Sequence, residues 1–540
     1  MMLRFRSALL ALLLALLLVT SAWTETVMVP TRDGTKLATD YYVPATGGPT
    51  FPVIMSRTVY GRGGKGMQDL GRAFNERGIA FVSQDSRGRG NSEGTDPCFA
   101  DDGWGERQDG VDSVRWIRSQ PWSNGKIGTW GGSALGITQV LLAGAEPSIS
   151  AQSIVVACSS LYGQLSYQGG VFRKALCEGW LTLQNSKHII DLWHSHPTYD
   201  EFWKGLNSEL RAQQVTAPGF HVGGWFDLFN QGTINNFVCR QYHGGEGARG
   251  NQKLVMGAWV HGIKQEIGDL KLRDNFNFKL SEYERRFMDY WLKGEQNGIM
   301  DEPAVHYYTL GDCTDPNAPG NEWRTAQDWP PLPINETPYY LTEAGSLTTE
   351  PLTADSKQVT FTYDPADPCP THGGQNLLLP AGPFDQRKVS GHKDVLKFAT
   401  PSLDQPLEIT GAVRVELFVS SDAADTDFIA KLVDIYPDGR EILMLDNIQR
   451  VKFRNGFEKA APLPPGEVGK ITIDLWSISL IFNTGHQVGL QVSSSNYPRF
   501  EKNPNTGEDL PREGNLEVAH NSVHLDKTHP SALILPVRVK

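Results

Sequence analysis

Between about residues 26 and 262 the chain alternates short apolar runs with stretches of helical periodicity. VIMSRTVY and GIAFVSQD are β-like and end in Gly- or Asp-rich turns. GVDSVRWIRSQ repeats its apolar positions at Val111, Val114 and Ile117, the spacing of one helix face. Strands alternating with helices predict βαβ units and a parallel sheet. Residues about 160–216 break the rhythm: rich in Trp, Leu and His and lacking strand runs, they predict a helical insertion over the sheet. A further helix is predicted over 274–293, with Leu280, Tyr283, Phe287, Tyr290 and Trp291 on one face and Gly294 as its stop.

After about residue 335 the period changes to two. In AVRVELFV, Val413, Val415, Leu417 and Val419 fall on one side and Arg414, Glu416 and Phe418 on the other. QVGLQV repeats the pattern with Val488, Leu490 and Val492, and YPDGR is a turn cluster. This predicts antiparallel, half-buried sheets, read as a β-sandwich of jelly-roll type over 335–540. PPLPINETP (330–338) reads as the linker, leaving 23–330 as the α/β unit.

The first 22 residues stand apart. Arg4 and Arg6 precede an apolar run of 12 residues, Ala8–Val19, followed by small residues up to Ala22. Twelve residues are short for a membrane span, so a cleaved secretory leader is expected, with a secreted or periplasmic destination and no membrane insertion after cleavage. Without those two arginines the net charge moves from −11 to −13, which argues against a nucleic-acid partner. Six cysteines at 98, 158, 177, 239, 313 and 369 permit up to three bridges in an exported chain, or free buried thiols, and no CxxC pair gives zinc spacing. His188, His194 and His196 lack a carboxylate at a diagnostic spacing, so no metal is expected there. Asp425 and Asp427 are too few for a calcium cage and read as structural, as does Arg87.

KIGTWGGSALGITQ (126–139) sets Ser133 among glycines between a β-like and a helix-like run. A serine hydroxyl needs a base and oxyanion donors, and a sharp strand-to-helix turn with small neighbours exposes it. The pattern is G-x-S-x-x-G. Asp227 in HVGGWFDLF and His261 in KLVMGAWVHG follow, each after a β-like run. This is the order Ser, acid, His of α/β-hydrolase triads, with each residue where a strand end meets a loop. A catalytic triad needs no cofactor.

The chain resembles the serine hydrolases grouped around cocaine esterase and X-prolyl dipeptidyl peptidases, with α-amino-acid ester hydrolases and glutaryl-cephalosporin acylases. SRTVYG, QDSRGRGNSEG, DGVDSVRWIRSQPW, GGSALG, VGGWFD and GAWVHG carry the resemblance in the first domain. DPCPTHGG, GPFDQR, SSDAADTDFIAKLVDIYPDGR and SSSNYPRFEKNPNTGE carry it in the second. It implies an α/β-hydrolase domain with a helical cap followed by a jelly-roll β-sandwich. Ser133 would be the nucleophile, Asp227 the acid and His261 the base. The Tyr60 hydroxyl and the Ala134 N–H would form the oxyanion hole. A tyrosine often follows the serine in this family; Ala134 keeps the N–H but removes a side chain near the acyl pocket.

Trp180, Trp193 and Trp203 of the insertion, with Phe226 and Phe229 beside the acid, are the expected pocket walls for a bulky apolar acyl group. α-Amino-acid ester hydrolases carry carboxylates two and three places after the acid; here those places hold Phe229 and Asn230, which counts against a free-amine substrate of that type, and less against an X-prolyl peptidase, which uses acidic residues from elsewhere. The expected activity is hydrolysis of small-molecule esters or amides through an acyl-enzyme. The alternatives are an X-prolyl dipeptidyl peptidase acting on short peptides, and a non-catalytic protein whose sandwich binds glycan or a partner. A homo-oligomer is compatible with this sequence.

Overall fold

The computed structural model describes residues 23–331, 333–508 and 514–539; the expected leader, 1–22, lies outside them. A ten-stranded sheet forms the first domain. Its seven central strands are parallel, with two antiparallel strands on one edge (Trp23–Pro30, Lys36–Val43) and one on the other (Glu322–Ala326). The parallel expectation therefore holds for the middle and not for the edges. Central strands are buried on both faces, and Phe51–Thr58 is buried at every position, as a sheet covered by helices on both sides requires. The helix Asp109–Ser119 buries Val111, Val114 and Ile117. The helix expected over 274–293 splits into a 3₁₀ turn and the helix Leu280–Lys293, whose buried line is Phe287, Met288 and Leu292 and which Gly294 ends at φ 76°. Arg87 pairs with Asp109 at 2.6 Å and with Asp33 at 2.9 Å, tying the loop after the strand Ala80–Asp85 to that helix and to the first hairpin.

The insertion is mostly helical, over Lys174–Leu183, His188–His194 and Glu201–Gly205. It also contains a hairpin the sequence reading did not expect, Tyr167–Gln168 with Val171–Phe172. Gly169 (φ 57°) and Gly170 (φ 78°) make its turn, and a Cβ on Gly169 would collide with the Ile448 carbonyl. Its tip is pressed against the second domain, where Arg450 N–H donates to Gly169 O at 2.9 Å.

That second domain is two antiparallel sheets sharing one core. One holds Leu407–Ser421 paired with Gly469–Phe482, Ala519–His524 and Ala532–Arg538; the other is Leu396–Ala399, Gln487–Ser493, Asp427–Ile435 and Glu441–Arg450. Val413, Val415, Leu417 and Val419 point inward with Leu432, Leu490 and Val492 opposite. The expected linker is corrected: from Ile334 to Leu341 the chain is a strand paired with Ala532–Arg538, because Pro338 interrupts the apolar pattern but sits within the ladder opposite Ile534. All six cysteines are free, so the bridges that the even count permits do not form.

Arg173 joins the parts. Its buried guanidinium donates to Gln164 O (2.7 Å) in the insertion, to Leu228 O (3.3 Å) beside the acid-bearing turn, and to Gln375 O (3.2 Å) in the second domain.

Asp425 and Asp427 have the structural role expected. Asp427 makes a two-point pair with Arg450 at 2.9 and 3.1 Å, and Glu501 adds a third contact at 3.3 Å, all buried. Replacing one partner of such a network strands the others without compensation. Arg450→Met is expected to lose about 3–5 kcal/mol of stability, read as a lowered thermal midpoint; an unchanged midpoint would refute the structural role.

Candidate active site

Ser133 follows the strand Ser123–Gly132 and precedes the helix Ala134–Ala143. Its backbone is at φ 55°, ψ −124°, a conformation a non-glycine residue adopts only when its surroundings impose it. They do so here. Ser133 N–H donates to Val155 O at 2.9 Å on the neighbouring strand. Gln139, in the helix that follows, reaches back to Gly131 O at 2.9 Å and accepts from Thr129 at 2.8 Å. A Cβ on Gly131 would fall 2.5 Å from Leu135 Cβ, and one on Gly136 would fall 2.7 Å from Ala157 Cβ. Glycines therefore let helix and strand close on the serine.

Beyond the neighbouring strand Ile149–Val155 come Gly219–Gly224 and Gln252–Gly257, which are parallel and end level, with Gly224 opposite Gly257. Asp227 and His261 lie in the turns beyond them, and Trp225 N–H to Gly257 O (2.9 Å) and Phe226 N–H to Trp259 O (3.0 Å) hold the turns together. The structure brings the three side chains into one line. His261 Nε2 is 2.9 Å from Ser133 Oγ, and His261 Nδ1 is 2.5 Å from Asp227 Oδ2. Asp227 is fully buried, and its other oxygen accepts the Phe229 N–H at 2.7 Å. Burial works to lower the His261 pKa, but the Asp227 charge and hydrogen bond outweigh it and leave it raised above 6.5. This geometry suits proton transfer from the serine hydroxyl to the imidazole, with the carboxylate fixing the tautomer.

Tyr60 and Ala134 flank Ser133. Ala134 is the first residue of its helix, where the leading amide groups have no intrahelical acceptor. The Tyr60 hydroxyl interacts with Ser133 and accepts the indole N–H of Trp180 at 3.2 Å. The hydroxyl end is enclosed, which raises the phenol pKa, while 52% of the residue faces solvent at the mouth of the site. With its lone pair taken by Trp180, the phenol proton is free to point towards the serine.

A small apolar pocket opens beside Ser133 and Ala134. Of the expected wall residues, Trp180, Trp193 and Phe229 line it. Trp203 and Phe226 do not. Trp203 is fully buried in the core of the insertion, its indole N–H donating to His196 O at 2.7 Å. Phe226 leaves the turn on the side opposite Phe229 and enters the core shared with the second domain. The pocket also uses residues the sequence reading missed: Phe99, Leu165, Leu176, Cys177 and Leu377. Leu377 comes from the second domain, and no local signal marks it. None of the lining residues is charged. Asn230 is buried and spent on structure, donating to Trp225 O (3.0 Å) and Ser477 O (2.8 Å). The three insertion histidines go to separate partners: His188 to Asp96 O, His196 to Asp200, and His194 against the Phe172 ring.

Comparison with known proteins shows the family of the chain. The X-Pro dipeptidyl-peptidase (S15 family) model matches residues 33–188 and 182–263, and the X-Pro dipeptidyl-peptidase C-terminal non-catalytic domain matches 297–534. The chain is 31% identical to the cocaine esterase of Rhodococcus sp. (strain MB1 Bresler), covering 95% of this chain and 98% of the relative. An α-amino acid ester hydrolase of known structure is 25% identical with a TM-score of 0.78, over 96% of each chain. An aminopeptidase from a marine sediment Thaumarchaeota archaeon has the same fold, with a TM-score of 0.82 at 24% identity over 96% of this chain and 97% of that one. The chain is a serine hydrolase and belongs to the family that unites cocaine esterase with the X-Pro dipeptidyl-peptidases.

Proposed function

We propose that this enzyme hydrolyses esters, and secondarily amides, of compact apolar carboxylic acids through an acyl-enzyme on Ser133. The supporting observation is the Ser133–His261–Asp227 chain of contacts opening onto a pocket with no charged wall. His261 Nε2 takes the hydroxyl proton as Oγ attacks the carbonyl carbon. Charge collects on the carbonyl oxygen, where the Tyr60 hydroxyl and the Ala134 N–H donate to it. The imidazolium, stabilised by Asp227, returns its proton to the leaving group. Water then repeats the sequence on the acyl-enzyme and releases the acid. Apolar walls exclude water around the acyl chain, which strengthens the electrostatic steps.

A second reading, X-Pro dipeptidyl peptidase, is favoured by the S15 match. It needs a counter-charge for the peptide ammonium, and none of the residues lining this pocket is charged. Acylase activity is the amide branch of the same chemistry. We also read the C-terminal two-sheet domain as a jelly roll that completes the pocket, and the chain as exported by its leader.

Wild type and Ser133→Ala, assayed on aryl esters of graded acyl size and on X-Pro anilides, test the reading. Esters of small apolar acids are expected to turn over, with a loss of about 10,000-fold or more in the alanine variant. Selective X-Pro cleavage would make it a peptidase, and undiminished turnover by Ser133→Ala would remove the serine from the mechanism.

Trp180→Phe keeps a pocket wall and deletes the donor to Tyr60. It is expected to lower kcat by about tenfold, against about 100- to 1,000-fold for Tyr60→Phe. It should cost nothing further in the Tyr60→Phe background, because the two act as a unit. Full additivity would show that Trp180 acts only as a wall. For export, mass spectrometry of the mature protein from the native host is expected to find an N-terminus just after Ala22; an intact Met1 would refute cleavage.

A further inference from the structure

The loop DPCPTHGG contains a cysteine that the hydrolytic site does not use. Cys369 is completely buried in the second domain, and two other ligand-type side chains converge on it from the segment after the turn Gln386–Lys388. Cys369, His392 and Asp394 each present one ligand atom, and these atoms all lie within 4.8 Å of one another. Asp394 is buried and hydrogen-bonded to His392 Nδ1. On the other side of the ring, His392 Nε2 is 3.7 Å from Asp367 Oδ1, and Lys393 holds Asp367 at 2.9 Å. Ser495, two residues past the strand Gln487–Ser493, accepts the Cys369 N–H at 2.8 Å and donates to Asp394 Oδ2 at 3.4 Å.

Tetrahedral zinc with bonds of about 2.0–2.3 Å separates its ligand atoms by about 3.3–3.8 Å. The cluster needs only a small rearrangement to reach that size. One thiolate, one imidazole and one carboxylate are a mixed soft and hard set that suits zinc or cobalt and not calcium or magnesium. A carboxylate on the far nitrogen of the imidazole is the usual outer partner of a metal-bound histidine.

We propose that Cys369, His392 and Asp394 bind a divalent transition cation of the zinc type, with Asp367 orienting the imidazole and the Ser495 hydroxyl or a water as fourth ligand. As the S–metal bond forms, the thiol proton leaves to solvent. Lys431 is the competing positive group; its ammonium is held by Gln386 Oε1 at 3.0 Å. Cation binding therefore releases one proton. The cation would pin the 364–374 loop to the sandwich, and the same loop runs on to Leu377, a wall of the acyl pocket.

The full-length protein, dialysed against chelator, is titrated with Co²⁺ and followed by near-ultraviolet absorption. One equivalent is expected to produce a thiolate-to-cobalt charge-transfer band that one equivalent of Zn²⁺ removes. Cys369→Ser should lose the band, and Asp367→Asn should weaken binding by about 10- to 100-fold. His392→Ala, altered at a partly exposed ring, serves if the serine variant does not fold; it should lose the rise in thermal midpoint that Zn²⁺ gives the wild type. No band in the wild type, or an equal band in Cys369→Ser, overturns the proposal.

Discussion

The catalytic end of this molecule depends on a backbone angle. Ser133 is held at positive φ, at a cost of about 1–3 kcal/mol for a residue with a side chain. The chain sustains that cost because relaxation is blocked on every side. The serine N–H is fixed to the next strand, Gln139 braces the turn from the helix, and two glycines let the helix approach without a clash. Once the hydroxyl is displayed, the parallel sheet does the rest. Adjacent strands ending in register place the acid and the base within hydrogen-bond reach with little adjustment.

The second constraint is enclosure. A sheet edge with three loops would leave the serine in water. The insertion covers it, and the second domain closes the remaining side through Leu377. Arg173 explains why these parts stay in place. A guanidinium carries donors in a fixed fork, and here they go to carbonyls of the insertion, the acid-bearing turn and the second domain. Burial depresses its pKa to about 9, the cost of using a charge as a joint.

The reacting residues were legible in the sequence because each sits at a local event: a glycine turn for Ser133, a strand end for Asp227 and another for His261. The alternating strand Leu407–Ser421 was legible for a similar reason, since period two reports its own buried face. The pocket was only partly legible. Trp180 and Trp203 belong to the same aromatic texture, yet one faces the serine and the other the insertion core. Which way each points is decided by packing between elements distant in sequence. Phe226 and Phe229 differ for a geometric reason, since the turn around Asp227 sends them to opposite sides. Leu377 and Cys177 have no local signature. Pro338 misled the reading of the linker because a proline can occupy a strand opposite an apolar partner.

The exposed flank of Tyr60 has a consequence for chemical selectivity. On one side of the reacting carbon the walls are hydrocarbon and the space is bounded; on the other the phenol ring borders open solvent. The two halves of a substrate are therefore judged by different rules. On the proposed ester chemistry, the acid half enters the apolar pocket, while the alcohol or amine half leaves along the solvent-facing side of Tyr60. On that reading, selection falls on the acid that is released and not on the group it is released from.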